Sequence, residues 1–123
     1  MAKYSIFAKN FNKMNELQSI IEQAWENRAL LQETKTTDAI RAVIELLDSG
    51  KLRVAEPVGD TSTSLSTSSW QVNEWVKKAV VLYFPIQKME TLEAGIFEYN
   101  DKMLLKRDYA EKGVRVVPGA SAR

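Results

Sequence analysis

Chemistry in this 123-residue chain has to be built from carboxylates, amines, guanidinium groups and hydroxyls, because the sequence contains neither cysteine nor histidine. That removes disulfides, Cys/His zinc sites, a thiol nucleophile and a Ser-His-Asp relay. Lys3, Lys9 and Lys13 are interleaved with Tyr4, Ile6, Phe7 and Phe11, a mixture shared by membrane-surface segments. Residues 59–69, GDTSTSLSTSS, are dense in hydroxyls, the composition of a solvated connector. Lys77 and Lys78 form one basic pair, and Lys106 and Arg107 another. Arg115 lies in KGVRVVP (112–118), where alternation along a strand puts it on the face opposite Val114 and Val116. A guanidinium so placed can hold a carboxylate through two parallel hydrogen bonds, a fork that lysine does not reproduce. Taken alone, a single arginine in a short strand reads as a surface residue.

The elements that would position these groups follow from apolar spacing. The length suits one compact domain, and 45% hydrophobic with 27% charged residues is enough apolar material for a core. Residues 1–14 read as an N-terminal tail. From Asn15, a cap paired with Gln18, residues Leu17, Ile20, Ile21, Ala24 and Trp25 recur on one helical face and predict a helix over 16–30. A second helix over 38–49 is announced by Thr37 as cap and Asp38 in the first turn, carries Ile40, Val43, Ile44 and Leu47, and ends at Gly50. KLRVAE (51–56) predicts a strand stopped by Pro57 and paired with 70–72. Asn73 caps a third helix over 74–84, whose stripe is Val76, Ala79, Val80 and Tyr83, with Lys77 and Lys78 on solvated faces and Pro85 ending it. Residues 86–112 hold no sustained period and read as irregular, and 112–118 read as a closing strand opened by Gly113. The fold class expected is mainly α: a small domain of about three helices with a short β-hairpin.

LLDSGKLRVAEP (46–57), VNEWVKKAVVLYF (72–84) and KGVRVVP (112–118), in that order, resemble the N-terminal region of the tetrahydrodipicolinate N-succinyltransferase family, over a span from about Met14 to the last residue. The resemblance implies an acyltransferase that moves succinyl from succinyl-CoA to tetrahydrodipicolinate, in its opened form L-2-amino-6-oxopimelate, in lysine and diaminopimelate biosynthesis. It also implies a left-handed parallel β-helix of hexapeptide repeats, following RVVP, that binds CoA, forms a homotrimer and carries the catalytic carboxylates. This chain has only five glycines and no six-residue aliphatic period, so that β-helix is absent from it. The organisation expected is therefore a tail (1–14), a helical N-terminal domain (15–111) and a strand (112–123) leading toward a repeat domain that this chain lacks.

Within the resemblance, Arg115 stands where the family places an arginine that binds the dicarboxylate substrate, and it is the single site residue assigned. No catalytic residue, metal ligand or bound cofactor is expected in this chain. Succinyl-CoA is the co-substrate of the longer family members, and the chain alone is expected to be inactive. A second reading, from a different class, is a free-standing helical interaction module used without catalysis. Seventeen basic against sixteen acidic residues, with no clustered excess, argue against a nucleic-acid partner. No apolar run reaches membrane-spanning length, and with the lack of cysteine this fits a cytoplasmic, soluble protein with no membrane partner.

Overall fold

The computed structural model describes residues 2–58, 69–120 and 122, with side chains described from Asn12 onward. The described residues form two compact units, Met1–Ile86 and Gln87–Arg123. The architecture is mostly helical, with three α-helices and two small antiparallel strand pairs, and no parallel β-helix occurs among the described residues.

In the first unit, α1 runs Ala2–Glu26. Residues 2–14 thus continue a helix where a tail is expected, and Asn15 lies inside it instead of capping it. No glycine or proline precedes Gly50, so nothing in the backbone chemistry stops the helix from extending toward the N-terminus. It ends four residues earlier than expected, because Asn27 turns extended and its side-chain oxygen accepts the Ala29 N–H at 3.1 Å, capping a short 3-10 helix, Arg28–Gln32. Next, α2 runs Thr34–Asp48. Thr37, expected as its cap, sits in the first turn with its hydroxyl donating to the Thr34 carbonyl at 3.0 Å.

Gly50 closes α2 as expected, at φ +70°. The Gly50 N–H reaches the Leu47 carbonyl at 3.0 Å and the Lys51 N–H reaches the Leu46 carbonyl at 2.9 Å, which is the Schellman arrangement. The reversal carries Leu52 into the core, so Lys51 and Leu52 belong to this cap and not to a strand. The hairpin is displaced accordingly: β1 is Ala55–Val58 and β2 is Ser69–Val72, pairing Ala55 with Val72 and Pro57 with Trp70. Pro57 does not stop the strand but belongs to it, which a two-stranded sheet permits because each strand keeps an open edge. The Ser/Thr-rich run, apart from Ser69, lies outside the described residues.

Helix α3, Glu74–Ile86, includes Pro85, one position past the expected stop. The proline deprives only the Val81 carbonyl of its helical partner, and Val81 is an exposed residue whose carbonyl can turn to water. Helices α1, α2 and α3 pack against one another around Leu17, Ile21, Ala24, Ala39, Ile40, Val43, Leu52, Trp75, Val76, Ala79 and Leu82. Thr36 is the polar residue buried with them, and no buried side-chain nitrogen or oxygen among the described residues lacks a partner.

Two expected core positions differ. Ile44 is only half-buried and lies outside the cluster, since it is about 100° round the helix from Val43. Leu82, absent from the expected stripe, is fully buried, whereas Val80 is half-buried and outside the cluster. The buried face of α3 runs through Trp75, Val76, Ala79 and Leu82, because residues 79–86 (AVVLYFPI) are apolar throughout and their spacing selects no phase.

Within the stretch expected to be irregular, residues 90–94 and 97–101 are ordered as strands, while 102–108 carry no regular structure. β3, Glu90–Ala94, and β4, Phe97–Asp101, form an antiparallel hairpin with Ala94 opposite Phe97, leaving Gly95 and Ile96 as a two-residue loop. Residues 112–118 form no strand: Lys112 and Gly113 finish a turn, and 114–117 have no regular structure and pair with no described strand. A strand requires a hydrogen-bonded neighbour, and alternation in sequence does not supply one.

Candidate functional site

The residues around Arg115 are organised by backbone hydrogen bonds. At the turn before it, Lys112 N–H donates to the Asp108 carbonyl at 3.1 Å, Gly113 N–H to Ala110 at 3.1 Å and Val114 N–H to Tyr109 at 2.8 Å. This single helical turn ends as α2 ends, with a glycine at φ +65°. Gly113 therefore closes a helical turn and does not open a strand. The Lys112 ammonium adds a 2.8 Å hydrogen bond to the Arg107 carbonyl, tying the turn to the residue that precedes it. After Arg115, a second turn forms where the Ala120 N–H donates to Val117 at 3.1 Å.

Arg115 itself is exposed and makes no hydrogen bond or ion pair with the described residues. Its neighbours Val114, Val116 and Val117 are also solvent-exposed. No described residue occupies any of its five guanidinium donors, and a planar carboxylate matches their fork.

The first basic pair is occupied by structure. Lys77 pairs with Glu74 at 3.3 Å on the surface of α3. Lys78, expected on a solvated face, instead bonds the Glu22 carboxylate of α1 in a half-buried pair, and its ammonium stands 5.8 Å from the centroid of the Trp25 ring. Arg28 stands over the same ring at 4.7 Å. Trp25 is consequently a half-buried platform for two cations at the α1–α3 contact, and not a plain core residue. No local pattern signals this, since Glu22 and Lys78 lie 56 residues apart. Among the described residues no group of three His, Cys, Asp or Glu could hold a metal, and no helix is long and apolar enough to cross a membrane.

The described residues thus form a three-helix unit and a second unit with a hairpin and a loop that carries an exposed guanidinium, a mostly helical architecture. The model of the tetrahydrodipicolinate N-succinyltransferase N-terminal domain matches residues 16–86, more than half of the chain, and the chain belongs to that family. Similar proteins named 2,3,4,5-tetrahydropyridine-2,6-dicarboxylate N-succinyltransferase include one from Neisseria meningitidis serogroup C, 47% identical over 117 residues, covering 87% of this chain and 40% of the relative. One from Neisseria gonorrhoeae is 46% identical over 117 residues, with the same coverage. One from Thiobacillus denitrificans is 42% identical over 120 residues, covering 89% of this chain and 41% of the relative. The helical unit ends at Ile86 and is too short to supply a match of that extent, so the likeness runs on into residues 87–123. The chain spans about two fifths of the length of the curated relatives it matches.

Proposed function

We propose that this chain is the N-terminal, substrate-binding part of an enzyme that transfers succinyl from succinyl-CoA to tetrahydrodipicolinate (L-2-amino-6-oxopimelate) on the route to lysine and diaminopimelate. The observation that carries the reading is the combination of the family match over the helices with relatives, named as succinyltransferases of this dicarboxylate, whose likeness continues past the helices toward Arg115. In this reading residues 112–123 lead toward a repeat domain, which with homotrimer partners completes the site, and the enzyme works in the cytoplasm.

Transfer of an acyl group from a thioester to an amine needs a base for the amine proton and donors for the oxyanion that forms on the thioester carbonyl. This chain's part is different. Arg115 binds one carboxylate of the dicarboxylate acceptor and fixes its orientation, so that the amine is presented to the thioester and not merely held nearby. The exposure of Arg115, and its freedom from hydrogen bonds to the described residues, support that role.

The test is steady-state kinetics on a full-length enzyme bearing this segment. Arg115→Lys should raise KM for the dicarboxylate about tenfold, with KM for succinyl-CoA little changed, because a point charge replaces a bidentate fork in one of two binding sites. Equal effects on both substrates, or none on either, sink the assignment. The isolated chain should release no CoA from succinyl-CoA on adding the acceptor, and acceptor-dependent release would place the active site within it.

A further inference from the structure

The hydrogen bonds on either side of Arg115 belong to one closed loop. The Lys106 N–H donates to the Ala122 carbonyl at 2.8 Å, joining two points sixteen residues apart. Inside that stem lie the turn closed by Gly113 and the turn at Val117–Ala120, and residues 114–117 join the two. Arg115 occupies that run, two residues beyond a glycine at φ +65°.

We propose that residues 106–122 form a closed loop that presents Arg115 to the dicarboxylate, and that Gly113 is a positioning residue for that contact through its left-handed backbone. The proposal rests on the substrate-binding reading of Arg115. A Cβ at Gly113 would meet no atom within 4 Å, so a substitution there changes the preferred backbone handedness without crowding any neighbour. If the φ at Gly113 moves to the right-handed or extended region, the Val114 N–H can no longer reach Tyr109, and the peptide leading to Arg115 swings to a new direction. A carboxylate gripped by two parallel hydrogen bonds tolerates little such movement, since both must stay near linear at once.

The experiment compares three variants of a full-length enzyme bearing this segment, by kinetics in both substrates. Gly113→Ala should raise KM for the dicarboxylate about tenfold while KM for succinyl-CoA stays as in the parent. Gly113→Asn, whose side chain tolerates positive φ, should recover most of that loss. Far-UV circular dichroism of each variant should match the parent, because the helices use none of the loop's hydrogen bonds. If Arg115→Lys raises KM for the dicarboxylate but Gly113→Ala does not, the positioning role is overturned while the reading of Arg115 stands. If Ala and Asn at Gly113 cause equal losses, backbone handedness is not the cause and the proposal fails. If Arg115→Lys leaves that KM unchanged, the substrate-binding reading itself falls, and the positioning role falls with it.

Discussion

Residues 1–86 and 87–123 solve the problem of holding a shape in different ways. The first unit buries Ile21, Ile40, Val43, Val76 and Leu82 completely and gains its stability from apolar area removed from water. No described residue of the second unit is buried. Ile96, Phe97, Tyr99, Leu104, Val114 and Val117 all remain at least half exposed, and its order rests on one hairpin ladder and a few turn hydrogen bonds. Such local bonds contribute little net stability each, because water competes for the same groups. A chain can therefore carry a buried helical core and, directly after it, a segment held by local hydrogen bonds without buried apolar side chains.

The largest test of this contrast is a pair of truncations. Leu82→Ala should lower the stability of the helical unit by about 2–5 kcal/mol, through lost burial and a residual cavity, and Phe97→Ala, at a site 60% exposed, should change it by less than about 0.5 kcal/mol. Thermal melts followed at 222 nm measure both, and a large effect from Phe97 would mean that the second unit stabilises the first. A finer test uses the two glycines that close turns with the same hydrogen-bond pattern. A Cβ at either position would have no atom within 4 Å, so each substitution reports backbone strain alone. Gly50→Ala should cost about 1 kcal/mol of helical-unit stability, as a non-glycine residue resists φ +70°, while Gly113→Ala should leave the melt unmoved. Equal melting shifts would erase the distinction between the units.

Smaller effects sharpen it within the first unit. Lys78→Met removes the pair with Glu22 and the cation over Trp25 but keeps the aliphatic stem, and should cost about 1 kcal/mol in chemical denaturation; Lys77→Met, on the solvent face, should cost almost nothing. Ile44→Ala should cost about 1 kcal/mol, less than Leu82→Ala, since the side chain is half-buried outside the core cluster and alanine is the better helix former. A loss approaching that of Leu82→Ala would return Ile44 to the core.

The reach of the sequence follows from how local each signal is. The stripe Leu17, Ile21, Ala24 and the cap at Gly50 depend on neighbours a few residues away, and both match the structure. The start of α1 does not, because the absence of a stop signal before Gly50 leaves a helix's N-terminus open. The phase of α3 is hidden by a continuous apolar run, which satisfies every face equally. The β3–β4 hairpin escapes a reading by period although Gly95 marks its turn, because ETLEA and FEYND carry glutamates that blur alternation. Of the candidate site, Arg115 is proposed on family resemblance, whereas the loop stem from Lys106 to Ala122 is a backbone contact between residues sixteen apart that no local side-chain pattern marks.

Asn73 couples two elements in time as well as in space. Its N–H donates to the Val54 carbonyl and its side-chain amide to the Arg53 carbonyl, both at 2.8 Å, while its own carbonyl accepts from Val76 and Lys77 in the first turn of α3. The residue is thus shared by the base of the first hairpin and the nucleus of a helix. Helix initiation is the costly step of helix formation, so a residue whose backbone is already pinned by strand pairing lowers the entropy that remains to be lost there. The hairpin and the start of α3 should accordingly open and close as one cooperative unit, with the amides of Asn73, Val76 and Lys77 exchanging their hydrogens at a common rate.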